Sequence, residues 1–201
     1  MTWETEMTEI ITPTRKLAWD TVCEFTESDS IKKHMLSVEQ SMRAMARHYG
    51  EDEEKWGIVG LIHDFDYEKY PTIPEHCNEG SKILKERGWP DEIVTAVLGH
   101  ASYTGVPRET RMAKALFAVD ELSGFLIGCA LVRPDKSFRE MKVKSVRKKL
   151  KDKAFCRAVN REEVRQGAEE LEWELDDLIA YLIQELVKCE TDLGLGEAFG
   201  N

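Results

Sequence analysis

The stretch Leu61-Ile62-His63-Asp64-Phe65-Asp66-Tyr67 sets an imidazole and a carboxylate side by side at the end of an apolar run. That run, Trp56, Ile58, Val59, Leu61 and Ile62, reads as a helix over residues 51–63. Successive helical residues point about 100° apart, so His63 and Asp64 can both reach one ion lying in the angle between them. Both are ligand types for a transition metal, and the carboxylate keeps a second oxygen for another ion. On this dipeptide alone, a helix-end histidine hydrogen-bonded to its neighbour is the commoner reading.

The other histidines change the balance. His34 lies on the inward stripe Ile31, His34, Met35, Val38, Met42, Met45 of a helix over 31–49 that stops at Gly50. Pro74-Glu75-His76 opens a helix that runs to Arg87 and is closed by Gly88, which puts His76 in a first helical turn. His100 ends a helix that begins at Pro90-Asp91. His48, beside Tyr49-Gly50, suits a helix C-terminus as a cation and reads as structural. Asp120 sits in Leu116-Phe117-Ala118-Val119-Asp120-Glu121-Leu122, within a long apolar helix over 110–132, where an unpaired charge is costly. Four imidazoles and two carboxylates have the composition needed to hold two metal ions.

No strand pattern of useful length interrupts these helices, so the expected fold is all-α. The first helix is expected to start at Thr12-Pro13, with Leu17, Ala18, Val22 and Phe25 at helical spacing, and to break at Ser28-Asp29-Ser30. Asn160-Arg161-Glu162-Glu163 starts a long acidic helix to about residue 189, with Leu171, Leu175, Leu178, Ile179, Leu182 and Leu186 as its buried face. A length of 201 residues suits one core, giving a single domain over 1–193 and a loose tail over 194–201. No apolar run approaches the roughly 18 residues that cross a bilayer, and the N-terminus lacks the pattern of a secretory leader. Five scattered cysteines without a C-x-x-C pair read as reduced thiols of a cytoplasmic protein, Cys77 among them as a partly buried small residue.

A net charge of −10 argues against binding a nucleic-acid polymer. From Lys142 to Arg161, however, nine basic residues face one acid, a local balance of +8 that leaves −18 for the remainder. Such a segment usually forms a solvated helix face. Within it, Lys144, Lys148 and Arg157 are candidates for contacts to a substrate phosphate.

The order His34, His63-Asp64, His76, His100, Asp120 resembles the HD-domain superfamily of metal-dependent phosphohydrolases, and more narrowly its HDIG-type hydrolases, over roughly residues 31–131. The resemblance implies an all-α HD-domain helical bundle, here extended by the long C-terminal helix. It implies that His34, His63, Asp64 and Asp120 hold one ion and His76 and His100 a second, with Asp64 bridging. The ions would be one or two divalent transition metals, iron, manganese, nickel or zinc rather than magnesium. Two such ions against two aspartates leave a formal excess of +2, which favours an anionic ester and metal-activated hydroxide. Many relatives have Ile-Gly-Lys after the doublet where this chain has Phe65-Asp66-Tyr67, so Asp66 or the nearby Lys69 stands in for that lysine and joins Asp64 as a candidate catalytic group, Asp66 either supporting a ligand or acting as general acid/base. The implied substrate is a small phosphorylated molecule of nucleotide type, with no membrane partner and with self-association open. The same ligand set also resembles HD-fold di-iron oxygenases, and a non-catalytic nucleotide-binding module is a third reading.

Overall fold

The computed structural model describes residues 10–196. Residues 1–9, on which the expectation about a secretory leader falls, and residues 197–201 lie outside the described residues. Nine α-helices and no strand are found among the described residues. They are α1 (Arg15–Phe25), α2 (Asp29–Tyr49), α3 (Glu53–Ile62), α4 (Glu75–Glu86) and α5 (Asp91–His100), then α6 (Arg111–Leu131), α7 (Val143–Lys151), α8 (Arg161–Glu170) and α9 (Leu175–Leu186). None of them is long and apolar enough to cross a membrane.

Helices α2 and α6 form the spine. α2 packs along α3 and α6, and α6 packs in turn against α5 and α8. The core between them is filled by Met35, Val38, Met42, Leu61, Ile62, Leu116, Leu122, Phe125 and Leu126, all fully buried. Each such side chain contributes about 1.5–3 kcal/mol by leaving water. Every residue of α3 from Trp56 to Ile62 is buried, so this helix is apolar all round because it has neighbours all round. At Gly60 a Cβ atom would lie 2.7 Å from the Val38 carbonyl oxygen, so only glycine lets α3 lie this close to α2. That close approach brings His34 on α2 to His63 at the end of α3, with ring centroids 5.2 Å apart.

Helix starts are set by side-chain caps, with some displacement from the expected positions. The first cap is Thr14 rather than Thr12-Pro13: its Oγ1 accepts the Leu17 N–H at 3.2 Å, and Leu17 itself faces solvent. Ser28 does not merely break the chain but caps α2, and Asp52 caps α3 by accepting the Lys55 N–H.

The expected single C-terminal helix is two helices. Glu172 adopts φ 59°, and the chain turns between α8 and α9. The turn lets α8 lie on α6 while α9 lies on α2. It also points Trp173 at the end of α2, where its Nε1–H donates to Tyr49 Oη at 2.8 Å and its ring meets His48 at 4.7 Å. The expected loose tail also begins inside the body. Leu193 and Leu195 are buried, and the Gly196 N–H donates to the Lys136 carbonyl at 2.9 Å.

Candidate metal centre

Five chain segments deliver the six expected donors to one place. His34 comes from the second turn of α2, and His63 and Asp64 from the end of α3. His76 comes from the irregular start of α4, His100 is the last residue of α5, and Asp120 lies in the middle of α6. Asp64 is the hub. Its Oδ2 faces His34 Nε2 at 3.6 Å and His63 Nε2 at 3.4 Å, while its Oδ1 faces His76 Nε2 at 3.2 Å and His100 Nε2 at 3.3 Å. Asp120 Oδ1 closes the first half, 3.0 Å from His34 Nε2 and 3.3 Å from His63 Nε2.

The far side of three rings is pinned. His63 Nδ1 lies 2.8 Å from the Gly60 carbonyl, His100 Nδ1 2.5 Å from the Val97 carbonyl, and His76 Nδ1 3.0 Å from Asp66 Oδ1. These acceptors require Nδ1–H, which in the neutral, metal-binding ring leaves each Nε2 with a lone pair aimed inward. Lone pairs therefore face lone pairs across the centre. Accordingly His63 Nε2 and Asp64 Oδ1, both buried, have no hydrogen-bond partner among the described residues. Buried polar atoms left this way are destabilising unless a cation or shared proton satisfies them. Bond lengths of about 2.0–2.2 Å to one ion would separate adjacent donors by about 2.8–3.6 Å. The donors fit a divalent metal.

The electrostatics point the same way. Burial opposes the His63 imidazolium, but Asp64 and Asp120 outweigh it and raise the ring to about 10. His76 is raised to about 11 against its burial by Asp64 and Asp66, and His100 is held well above the ordinary imidazole range. Asp64 and Asp120 are held below the usual carboxylate range, because the surrounding imidazoles outweigh the effect of burial. The centre is a well of negative potential that draws in protons or metal ions.

Helix α4 does not begin as expected. His76 has ψ 146° and Cys77 φ 61°, so His76 does not sit in a regular first turn. Asp66 accounts for the distortion: its Oδ2 accepts the N–H groups of Cys77 and Gly80, each at 3.0 Å, while its Oδ1 holds the His76 ring. Gly80 makes room for that carboxylate, since a Cβ there would lie 2.6 Å from Asp66 Cγ. Cys77 is fully rather than partly buried, with Sγ 3.8 Å from His100 Nε2 and a hydrogen bond from Tyr103 Oη at 3.5 Å. Burial pushes its thiol up, but the neighbouring His100 charge more than offsets this and brings it down to about 7.

The other expected catalytic groups, Asp66 and Lys69, are both engaged by neighbouring residues. Asp66 is fully buried with both oxygens engaged, one of them holding the His76 ring. Lys69 Nζ donates to the Glu24 carbonyl at 3.1 Å and lies 4.0 Å over the Phe25 ring, tied to the end of α1. An open cleft of about 680 Å3 lies over the donors, and Lys144, Lys148 and Arg157 do not line it. The basic segment sends only Ala158, Val159 and Asn160 to its wall. Tyr67, Tyr103, Glu121 and Glu163 line it too, and sequence reasoning had no pattern by which to single them out. Glu121 is raised to about 7, by burial first and by Asp120 next to it.

No curated protein and no solved structure matches the chain. Residues 31–124 match the family model described as HD domain, a family whose members bind divalent metals and are in general metal-dependent phosphohydrolases. The matched span opens three residues before His34 and closes four residues after Asp120, so it contains all six donors. Residues 31–124, which carry both the sequence match and the metal-shaped centre, form an HD domain.

Proposed function

We propose that the protein is a metal-dependent phosphohydrolase of HDIG type that cleaves a phosphomonoester or phosphodiester in a small, nucleotide-like substrate. The supporting observation is the double engagement of Asp64, one oxygen toward His34 and His63 and the other toward His76 and His100. A carboxylate so placed suits a pair of divalent ions, and an imidazole-rich set suits iron, manganese, nickel or zinc better than magnesium. Such ions, when bound, polarise a phosphoryl oxygen and acidify a water molecule.

The chain's own part is positioning. Pinned Nδ1 atoms on His63, His76 and His100 fix the rings before any ligand arrives, so little reorganisation is needed. Tyr103 Oη donates to the His76 carbonyl at 2.9 Å and ties the loop after α5 to the start of α4. Tyr67 packs edge-on against the His76 ring, with centroids 5.0 Å apart, and shields one side of it from water.

A panel of nucleotides and simple phosphoesters, assayed for phosphate release with Mn, Fe, Ni, Zn and Mg, tests the reading. The expected result is release with at least one transition metal and its loss in Asp64→Ala. Oxygen uptake without phosphate release would favour oxygenase chemistry, and no turnover of any ester would favour a binding module.

A further inference from the structure

Among the described residues, the cleft above the donors carries four carboxylates, Asp64, Asp120, Glu121 and Glu163, and neither a lysine nor an arginine. With all four ionised, two divalent ions are balanced by the lining itself, and the excess of +2 expected from two aspartates is absent. A single phosphoryl group can still be held by the ions. A second or third phosphate would meet Glu121 and Glu163 in a partly desolvated cleft with no fixed cation to receive it. The candidate phosphate contacts Lys144, Lys148 and Arg157 are exposed and do not line the cleft.

We infer that the site selects substrates bearing one phosphoryl group on a hydroxylated, uncharged or cationic body, and that Glu121 and Glu163 exclude polyphosphates. The inference rests on the reading of the cleft as a phosphoester site. The remaining lining fits such a body. Tyr67, Ile73, Tyr103 and Val159 offer flat and apolar surface, while Asn160 and the two glutamates offer acceptors for hydroxyl or amino groups. Carboxylates commonly accept hydrogen bonds from sugar hydroxyls in this way.

Two measurements on the Mn-loaded, full-length protein test it. In the first, orthophosphate and tripolyphosphate are titrated calorimetrically into the wild type and into Glu121→Gln/Glu163→Gln, whose fold is checked by circular dichroism. Orthophosphate should bind the wild type at least tenfold more tightly than tripolyphosphate, and the double variant should narrow that ratio about tenfold. In the second, a nucleoside 5′-monophosphate should exceed the corresponding triphosphate at least tenfold in kcat/KM. Equal or tighter tripolyphosphate binding, faster triphosphate turnover, or an unchanged ratio in the double variant would overturn the inference. If no ester is hydrolysed, the hydrolase reading fails, and the two anion affinities still decide the charge selection.

Discussion

Asp66 accepts the Nδ1–H of His76 at 3.0 Å with one oxygen and the N–H groups of Cys77 and Gly80 with the other. One carboxylate thereby orients a metal ligand and stabilises the distorted backbone that presents it. In Asp66→Asn, an NH2 group must face at least one of these three donors. The expected result is a 10–100-fold loss of metal affinity, together with about 1–3 kcal/mol of stability from the unpaired donor. Metal titration and urea unfolding measure the two effects, and unchanged affinity would remove Asp66 from the centre's support.

Gly80→Ala reaches the same carboxylate from behind. Its Cβ would lie 2.6 Å from Asp66 Oδ2, closer than side chains tolerate. The overpacking should reduce stability by about 1–3 kcal/mol, and metal affinity should fall with it as Asp66 moves off His76. A variant that melts like the wild type and binds metal equally well would show that the carboxylate has room to shift.

Acidity should act oppositely on the metal-free and metal-loaded protein. His63 and His76 have pKa values raised from 6.5 to about 10 and about 11. Their contribution to the metal-free fold is thus fully present below about pH 6.5 and is lost as pH rises toward 10–11. Asp64 and Asp120 are lowered, so their contribution is present at neutral pH and lost only in strong acid. Metal ions must displace the imidazole protons, so metal affinity rises over the same range in which metal-free stability falls. Between pH 7 and 9 the Tm of chelator-treated protein should decline while the gain in Tm on adding metal grows. Titrations in buffers of different ionisation enthalpy should register proton release. Parallel pH slopes with and without metal would contradict the arrangement.

His48 provides the control. Its ring meets Tyr49 at 4.8 Å and Trp173 at 4.7 Å, in the cluster joining the end of α2 to the turn between α8 and α9. His48→Ala should lower stability by about 0.5–1.5 kcal/mol and leave metal content unchanged. Loss of metal in this variant would mean that the histidines do not divide as described.

What could be read beforehand was what local chemistry marks. Helix ends were announced by Gly50 and Gly88 and by proline before α4 and α5. The six donors were legible because imidazoles and carboxylates at apolar helix positions are rarely there for packing alone. The irregular start of α4 was not legible. Cys77 adopts φ 61° without being glycine, because a carboxylate ten and more residues away receives the backbone N–H groups. Glu172 hides the turn between α8 and α9 for the same reason, since a positive φ at a helix-forming residue is stabilised by tertiary contacts such as Trp173 with Tyr49. The directions taken by Asp66 and Lys69 were not legible, because adjacency in sequence to the doublet does not fix which way a turn directs its side chains. The Glu121 and Glu163 wall needed the cleft itself.

The account depends on Asp64 joining two halves of one centre. The direct measurement is metal stoichiometry: protein stripped with chelator, reconstituted with Mn, Fe or Zn, desalted and analysed for metal per chain. The wild type should retain close to two ions, and Asp64→Ala should lose tight binding in both halves while remaining folded. Failure of the wild type to retain any transition metal, or full retention by Asp64→Ala, would contradict it.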